Sequence, residues 1–272
     1  MNSNTDKILF FHVGTGKTGT TFLQYRVFPK FKGIYYIQRT KFHGSKSIIE
    51  KTNHKKYLLS SEFDRQLEYE VSKFTKNYPD TTPIIVFRRQ DGYIASQYRR
   101  FVKNGFQGNF TNFFDIENDK GFFKKEHLNY NHQVEILKKY FTKEPAIFIY
   151  DELRNNPKKF IAKMAKLMDV TIDFDSINFN RKHTSYNEKQ LKIFHNLSQR
   201  FDLRKRRVFK NGIMHFLWRL YMGSIRYSIL YLSKLVPNSK VDSKPLIPKD
   251  ELEKIKEYYK ADWENISKRA YS

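Results

Sequence analysis

A lysine set among glycines and threonines, between an apolar run and a helical pattern, is the most chemically suggestive feature of this chain. Residues 11–24, FHVGTGKTGTTFLQ, lead from a short apolar stretch through Gly14, Thr15, Gly16, Lys17, Thr18, Gly19, Thr20 and Thr21 into a helix that begins near Gly19. The backbone N–H groups of such a loop and the positive end of the helix bind anions, glycines allow close approach, and Lys17 adds a full charge. Arg88 closes a second apolar run, and Ser96 follows eight residues later inside a helical pattern. A guanidinium fork and a hydroxyl can grip a phosphate together. Glu62 ends the run LLSSE, which puts a carboxylate where parallel sheets present their active edge. Its other uses would be to cap the following helix or to join a salt bridge.

The nucleoside-triphosphate loop GxxxxGK[ST] would need glycine at position 11 if Gly16, Lys17 and Thr18 formed its end, and Phe11 stands there. The segment instead resembles the 5'-phosphosulfate loop of the PAPS-dependent sulfotransferases. Their pattern Gly-x-x-Lys-[Thr/Ser]-Gly-Thr-Thr-x-Leu is met by Gly14, Lys17, Thr18, Gly19, Thr20, Thr21 and Leu23, seven positions in ten. The resemblance implies that Gly14 through Thr21 hold the 5'-phosphosulfate, that Lys17 neutralises charge developing in the reaction, and that Arg88 and Ser96 hold the 3'-phosphate. The family often shows Pro two residues after this Arg; Gln90 takes its place here and Arg89 lies alongside, so the choice between Arg88 and Arg89 stays open. Arg181, Lys182 and Ser185 lie where many members return a loop over the nucleotide, although His183 replaces the usual Gly. Residues 149–170 are similar to the family's strand, acidic turn and helix, and residues 246–271 to the carboxy-terminal helix of bacterial members.

Activating an acceptor hydroxyl needs a base. Carboxylate bases occur in glycan-directed members and histidine in many others, so Glu62 is the candidate, with His43 and His12 as competitors. The implied reaction moves a sulfuryl group from PAPS to a hydroxyl acceptor, such as a saccharide or lipid-linked glycan, and leaves PAP. A nucleotide kinase with a degenerate phosphate loop is one alternative, and a non-enzymatic binder of polyanions or anionic lipid is another.

The elements that must position these residues follow from apolar patterning. Residues 7–13, 57–61, 83–88 and 146–150 read as strands; helices are expected from Gly19, over 91–103, 127–141, 157–168 and 187–200, and in the last segment, where Leu252, Ile255, Tyr259, Trp263 and Ile266 line one face. Strands alternating with helices predict an α/β protein with a central parallel sheet covered on both faces. With the phosphate loop, this is a P-loop-like three-layer fold. Residues 1–272 read as a single domain with a basic, aromatic helical excursion at about 203–240. On that helix His215, Arg219 and Arg226 fall to one side with apolar residues opposite. The pattern suits a helix lying in an anionic membrane surface, or a core or oligomer helix with its basic face in water.

The chain has 51 Lys and Arg against 28 Asp and Glu, so 51 − 28 gives a net charge of +23, which suggests an anionic partner. It has no cysteine, which excludes disulfides, thiolate metal sites and a cysteine nucleophile, and fits a reducing compartment. The histidines show no HExxH-like spacing, so no metal is expected. The amino terminus lacks a basic n-region and a cleavage site, and no window has the ~20 apolar residues of a membrane span. A cytoplasmic protein is expected, with peripheral contact at the inner membrane face if the basic helix binds lipid.

Overall fold

A computed structural model describes residues 7–180 and 186–271. Its strands are β1 (Ile8–His12), β2 (Phe31–Lys32), β3 (Tyr35–Ile37), β4 (Lys56–Ser60), β5 (Thr82–Phe87), β6 (Ala146–Ile149) and β7 (Thr171–Ile172). Five of them form a parallel sheet in the order β3-β4-β1-β5-β6, and β2 pairs antiparallel with β7.

Side chains of a strand alternate between the two faces, and here both faces are dry. Leu9, Phe11, Tyr57, Leu59, Ile85 and Phe87 pack on one face against Val71, Phe74, Val134 and Leu137 from the Leu67–Thr75 and Tyr130–Tyr140 helices. Phe10, Leu58, Ile84, Val86 and Phe148 pack on the other against Leu23, Val27, Phe160, Met164 and Met168, the last three from the Pro157–Met168 helix. This is the expected three-layer α/β arrangement. Burial on both faces is why these strands read as continuous apolar runs.

The strand order places β1 at the centre, with β4 on one side and β5 on the other. The chain leaves β1 toward one edge and later returns to the opposite side, which makes the carboxyl end of β1 a topological switch point where open α/β sheets bind ligands. The ends of β4, β5 and β6 share that edge because the sheet is parallel.

Two compact units divide the chain. The sheet and its helices belong to Met1–Gln90, Glu126–Asn180 and Tyr259–Ser272; Asp91–Lys125 and Arg181–Tyr258 form the other. The last segment, expected as one helical face, breaks at Tyr259 into Lys249–Tyr258 and Lys260–Lys268, with Ile255 buried in one unit and Ile266 in the other.

The second unit is helical. Tyr98, Phe101, Phe110, Phe113 and Phe123 form an aromatic cluster in it. Its longest helix, Gly212–Leu232, is capped by Asn211, whose side chain accepts from the Ile213 and Met214 amides. Met222 and Leu230 are buried, and Gln190 Nε2 donates to Leu230 O at 2.6 Å. Arg226 is also buried, with Nη1 donating to Leu203 O at 3.4 Å. Part of the basic side of this helix is therefore turned inward.

Candidate functional site

The glycine loop is held between the two neighbours of β1. Val13 N donates to Ile84 O at 2.9 Å, Ser61 N to His12 O at 3.0 Å, and Phe63 N to Gly14 O at 3.3 Å, so pairing with both sides continues past the strand end. Thr15 Oγ1 donates to Val86 O at 3.3 Å and Thr18 Oγ1 to Thr15 O at 2.7 Å. These two hydroxyls brace the loop. Thr20 is buried and Thr21 exposed.

Two residues of the loop are left-handed, Lys17 at φ 68° and Gly19 at φ 79°. For a lysine this conformation costs about 1–2 kcal/mol, and alternation of hand turns successive amides toward one side, which makes an anion-binding concavity. Gly19 is required twice over, since a Cβ there would also meet Leu153 Cδ2 at 2.5 Å. The following helix opens as one α turn, Thr20–Phe22, and widens into a π turn over Leu23–Val27.

Beneath the loop lies His12, which the sequence offered as a competitor to Glu62 for the base. His12 Nδ1 shares a hydrogen bond of 2.8 Å with Ser60 Oγ, which also accepts from Gln24 Nε2 at 3.0 Å. The imidazole is fully buried, and its Nε2 has no hydrogen-bond partner. Burial pushes the pKa of His12 down to about 3. A base this weak and enclosed is poorly suited to accept an acceptor's proton. Its role is steric support: a Cβ on residue 14 would come within 2.6 Å of Nε2, so the loop can rest on the imidazole only if residue 14 is glycine.

Asp64 faces the loop from the segment after β4. Gly16 N donates to its Oδ1 at 2.7 Å, a charge-assisted bond that sets a protein carboxylate on an amide expected to meet a ligand. Sequence reasoning missed Asp64. Phe63 N pairs with Gly14 O, which brings the two carboxylate residues flanking Phe63 to the end of β1, and nothing along the chain announces that pairing. Glu62 is the other of the two, with its side chain 16% exposed and Oε2 3.9 Å from Arg39 Nη1. That is an ion pair too long for a hydrogen bond, and Glu62 does not cap the Leu67–Thr75 helix, whose N-cap is Gln66.

Arg88 reaches the loop. Its Nη1 donates to Lys17 O at 3.4 Å, its guanidinium lies over the Tyr150 ring at 5.1 Å, and its carbonyl accepts from Tyr130 Oη at 2.6 Å. Arg89 is exposed. Gln90, where the resembled family often has Pro, is buried and donates from Nε2 to Asp262 Oδ2 at 2.7 Å.

Lys17, Gly16, Asp64 and Arg88 thus come together at the carboxyl end of β1. Ser96 is half-buried in the Gln90–Lys103 helix, past the point where the chain enters the second unit. His43 is exposed on the 3-10 turn Arg39–Gly44, with its ring against Phe42. Arg181, Lys182 and Ser185 lie outside the described residues. Among the described residues no three His, Cys, Asp or Glu gather as a metal site.

No protein-family model and no curated protein matches this chain. Among solved structures, it is similar to a sulfotransferase from Alicyclobacillus acidocaldarius, with a TM-score of 0.52 and 16% identity over 71% of this chain and 92% of that one. That likeness is one of fold: the parallel five-stranded sheet with helices on both faces is a P-loop-like arrangement shared with that structure.

Proposed function

We propose that this chain is a sulfotransferase that moves the sulfuryl group of PAPS to a hydroxyl acceptor on a saccharide or lipid-linked glycan. The observation that carries the reading is the Gly16 amide, which already holds an anionic oxygen at 2.7 Å in a loop that also contains Lys17 and receives Arg88. These groups suit a phosphosulfate: amides and an ammonium for the bridging region, and an arginine fork for a second phosphate. The motif match and the fold of the solved sulfotransferase support the same reading.

In such a transfer the sulfur–oxygen bond to the phosphate breaks while one forms to the acceptor oxygen, and the protein mainly positions the reactants and stabilises charge. The loop amides and Lys17 would stabilise charge on the leaving phosphate oxygen. Arg88 is assigned to the 3'-phosphate. Glu62, at the end of β4, is assigned to take the proton of the acceptor hydroxyl.

Radiolabelled PAPS, screened against oligosaccharides, lipids and small alcohols, tests the activity directly. PAP should raise the melting temperature of the native protein. Lys17→Ala should lower transfer by about 10²–10³-fold with little loss of stability. A fully active Lys17→Ala protein, or indifference of the native fold to PAP, would overturn the reading. Glu62→Gln that keeps full transfer at neutral pH would remove Glu62 from the chemistry.

A further inference from the structure

The Gly212–Leu232 helix of the second unit buries Met222, Arg226 and Leu230 and leaves a further apolar face uncovered. A surface helix ordinarily buries its apolar stripe and shows its charges. Here Arg226 is buried, while Ile213, Phe216, Leu217, Leu220, Tyr227 and Tyr231 are 50–73% exposed. Spaced three, four or seven residues apart, they make one continuous outward stripe, and a groove of about 680 Å³ runs along it between Arg219 and Leu232. Scattered exposed apolar residues need no explanation, but a contiguous stripe marks an interaction site.

Charge says what covers it. Residues 203–241 contain nine Lys or Arg and no Asp or Glu. Arg204, Arg206, Arg207 and Lys210 precede the helix and are exposed, Arg219 is exposed along it, and Lys234 follows it. Asp202 pairs with Arg204 and Arg206. Lys205 is held below the ordinary lysine range, first by burial and then by the cations Arg219, Arg226, Lys103 and Arg100 around it. Two copies meeting on this face would bring like charges together, in a chain whose net charge is +23. Nucleic acid would satisfy the cations but gain nothing from leucines. A surface that is negative outside and hydrocarbon beneath satisfies both. Tyr227 and Tyr231 suit its boundary, since their rings are apolar and their hydroxyls polar.

We infer that the Gly212–Leu232 helix is a peripheral membrane anchor, lying in the plane of an anionic bilayer with its outward stripe among the acyl chains and the flanking cations at the headgroups. The helix does not span: no described helix is long and apolar enough to cross a membrane. The inference does not depend on nucleotide binding or transfer.

Co-sedimentation of the full chain with vesicles tests it, using phosphatidylcholine alone against phosphatidylcholine and phosphatidylglycerol in equal parts. Binding is expected to the anionic vesicles only, weakening as salt rises. The pair Leu217→Asp and Leu220→Asp should lower partitioning about tenfold or more with an unchanged melting temperature, because both side chains are exposed. Arg206→Glu with Arg207→Glu, away from the stripe, should weaken binding mainly at low salt. Absence of binding to the anionic vesicles overturns the inference. So does a native dimer, seen by sedimentation equilibrium, that the two aspartates dissociate.

Discussion

The Asp64 carboxylate accepts the Gly16 amide at 2.7 Å, so a residue of the protein sits on the loop that is proposed to hold an anionic ligand. The contact joins positions 48 residues apart, from the ends of the neighbouring strands β1 and β4. An incoming phosphate or sulfate oxygen has to displace Asp64 or share the amide with it, against the repulsion of two negative charges. Asp64→Asn removes the charge and keeps an acceptor. Calorimetric titration with PAP should show up to about tenfold tighter binding, since roughly 1.4 kcal/mol is within the worth of one charge-assisted hydrogen bond. Unchanged or weaker binding would mean that Asp64 holds the loop in shape.

Gly14 and His12 are coupled by contact. A Cβ at residue 14 would stand 2.6 Å from Nε2 and 2.8 Å from Cε1 of a fully buried ring. Gly14→Ala should therefore destabilise the fold by about 1–3 kcal/mol, as overpacking does. Adding His12→Ala should recover part of that loss, and a double-mutant cycle in urea reads the coupling. Strict additivity would show that the imidazole does not support the loop.

The same histidine gives stability a pH dependence. Its pKa falls from the ordinary 6.5 to about 3 on folding, because burial disfavours the imidazolium. The unfolded chain therefore takes up the proton first as pH falls. This contribution is fully present above pH 6.5 and is lost progressively toward pH 3, at a slope of up to about 1.4 kcal/mol per pH unit. Carboxylates held low by cations, such as Asp169 beside Lys56 and Asp202 beside Arg204, lose their contribution only as pH falls through the ordinary carboxylate range. Urea unfolding between pH 6.5 and about 4.5 isolates the histidine. His12→Gln should flatten that slope, and a native protein with no slope in this window contradicts the assignment.

Asp262 ties the carboxy-terminal helix to the strand end that carries Arg88. It accepts from the amides of Tyr130 and Asn131 at 3.1 and 3.0 Å, and from the side chains of Asn131 and Gln90, both at 2.7 Å. Asp262→Ala leaves these donors without that partner at the start of a helix, and should cost roughly 2–4 kcal/mol in chemical denaturation. Asp262→Asn should recover part of it. A loss below about 0.5 kcal/mol, the range of ordinary surface changes, would mean that water replaces the carboxylate.

Much of this molecule could be read along the chain. The runs that became β1, β4, β5 and β6 were legible because burial on both sheet faces makes a strand uniformly apolar. The loop was legible because glycine, lysine and threonine act through the backbone of their own segment. Strands of two or three residues, such as β2, β3 and β7, carry too few side chains for a period to register. Gln90, a departure from the resembled pattern, became intelligible once Asp262 was found beside it, 172 residues away.

By itself the sequence determined a parallel α/β core, a loop chemically suited to anions, and a basic helix with two unlike sides. Only the tertiary structure decided that Asp64 occupies a loop amide, that His12 underpins Gly14, and that the helix turns Arg226 inward and Leu217 and Leu220 out. The physical reason is the same in each case. Periodicity and turn chemistry are local and survive in one dimension, whereas the partner of a carboxylate and the inward face of an amphipathic helix depend on surfaces that distant segments bring together.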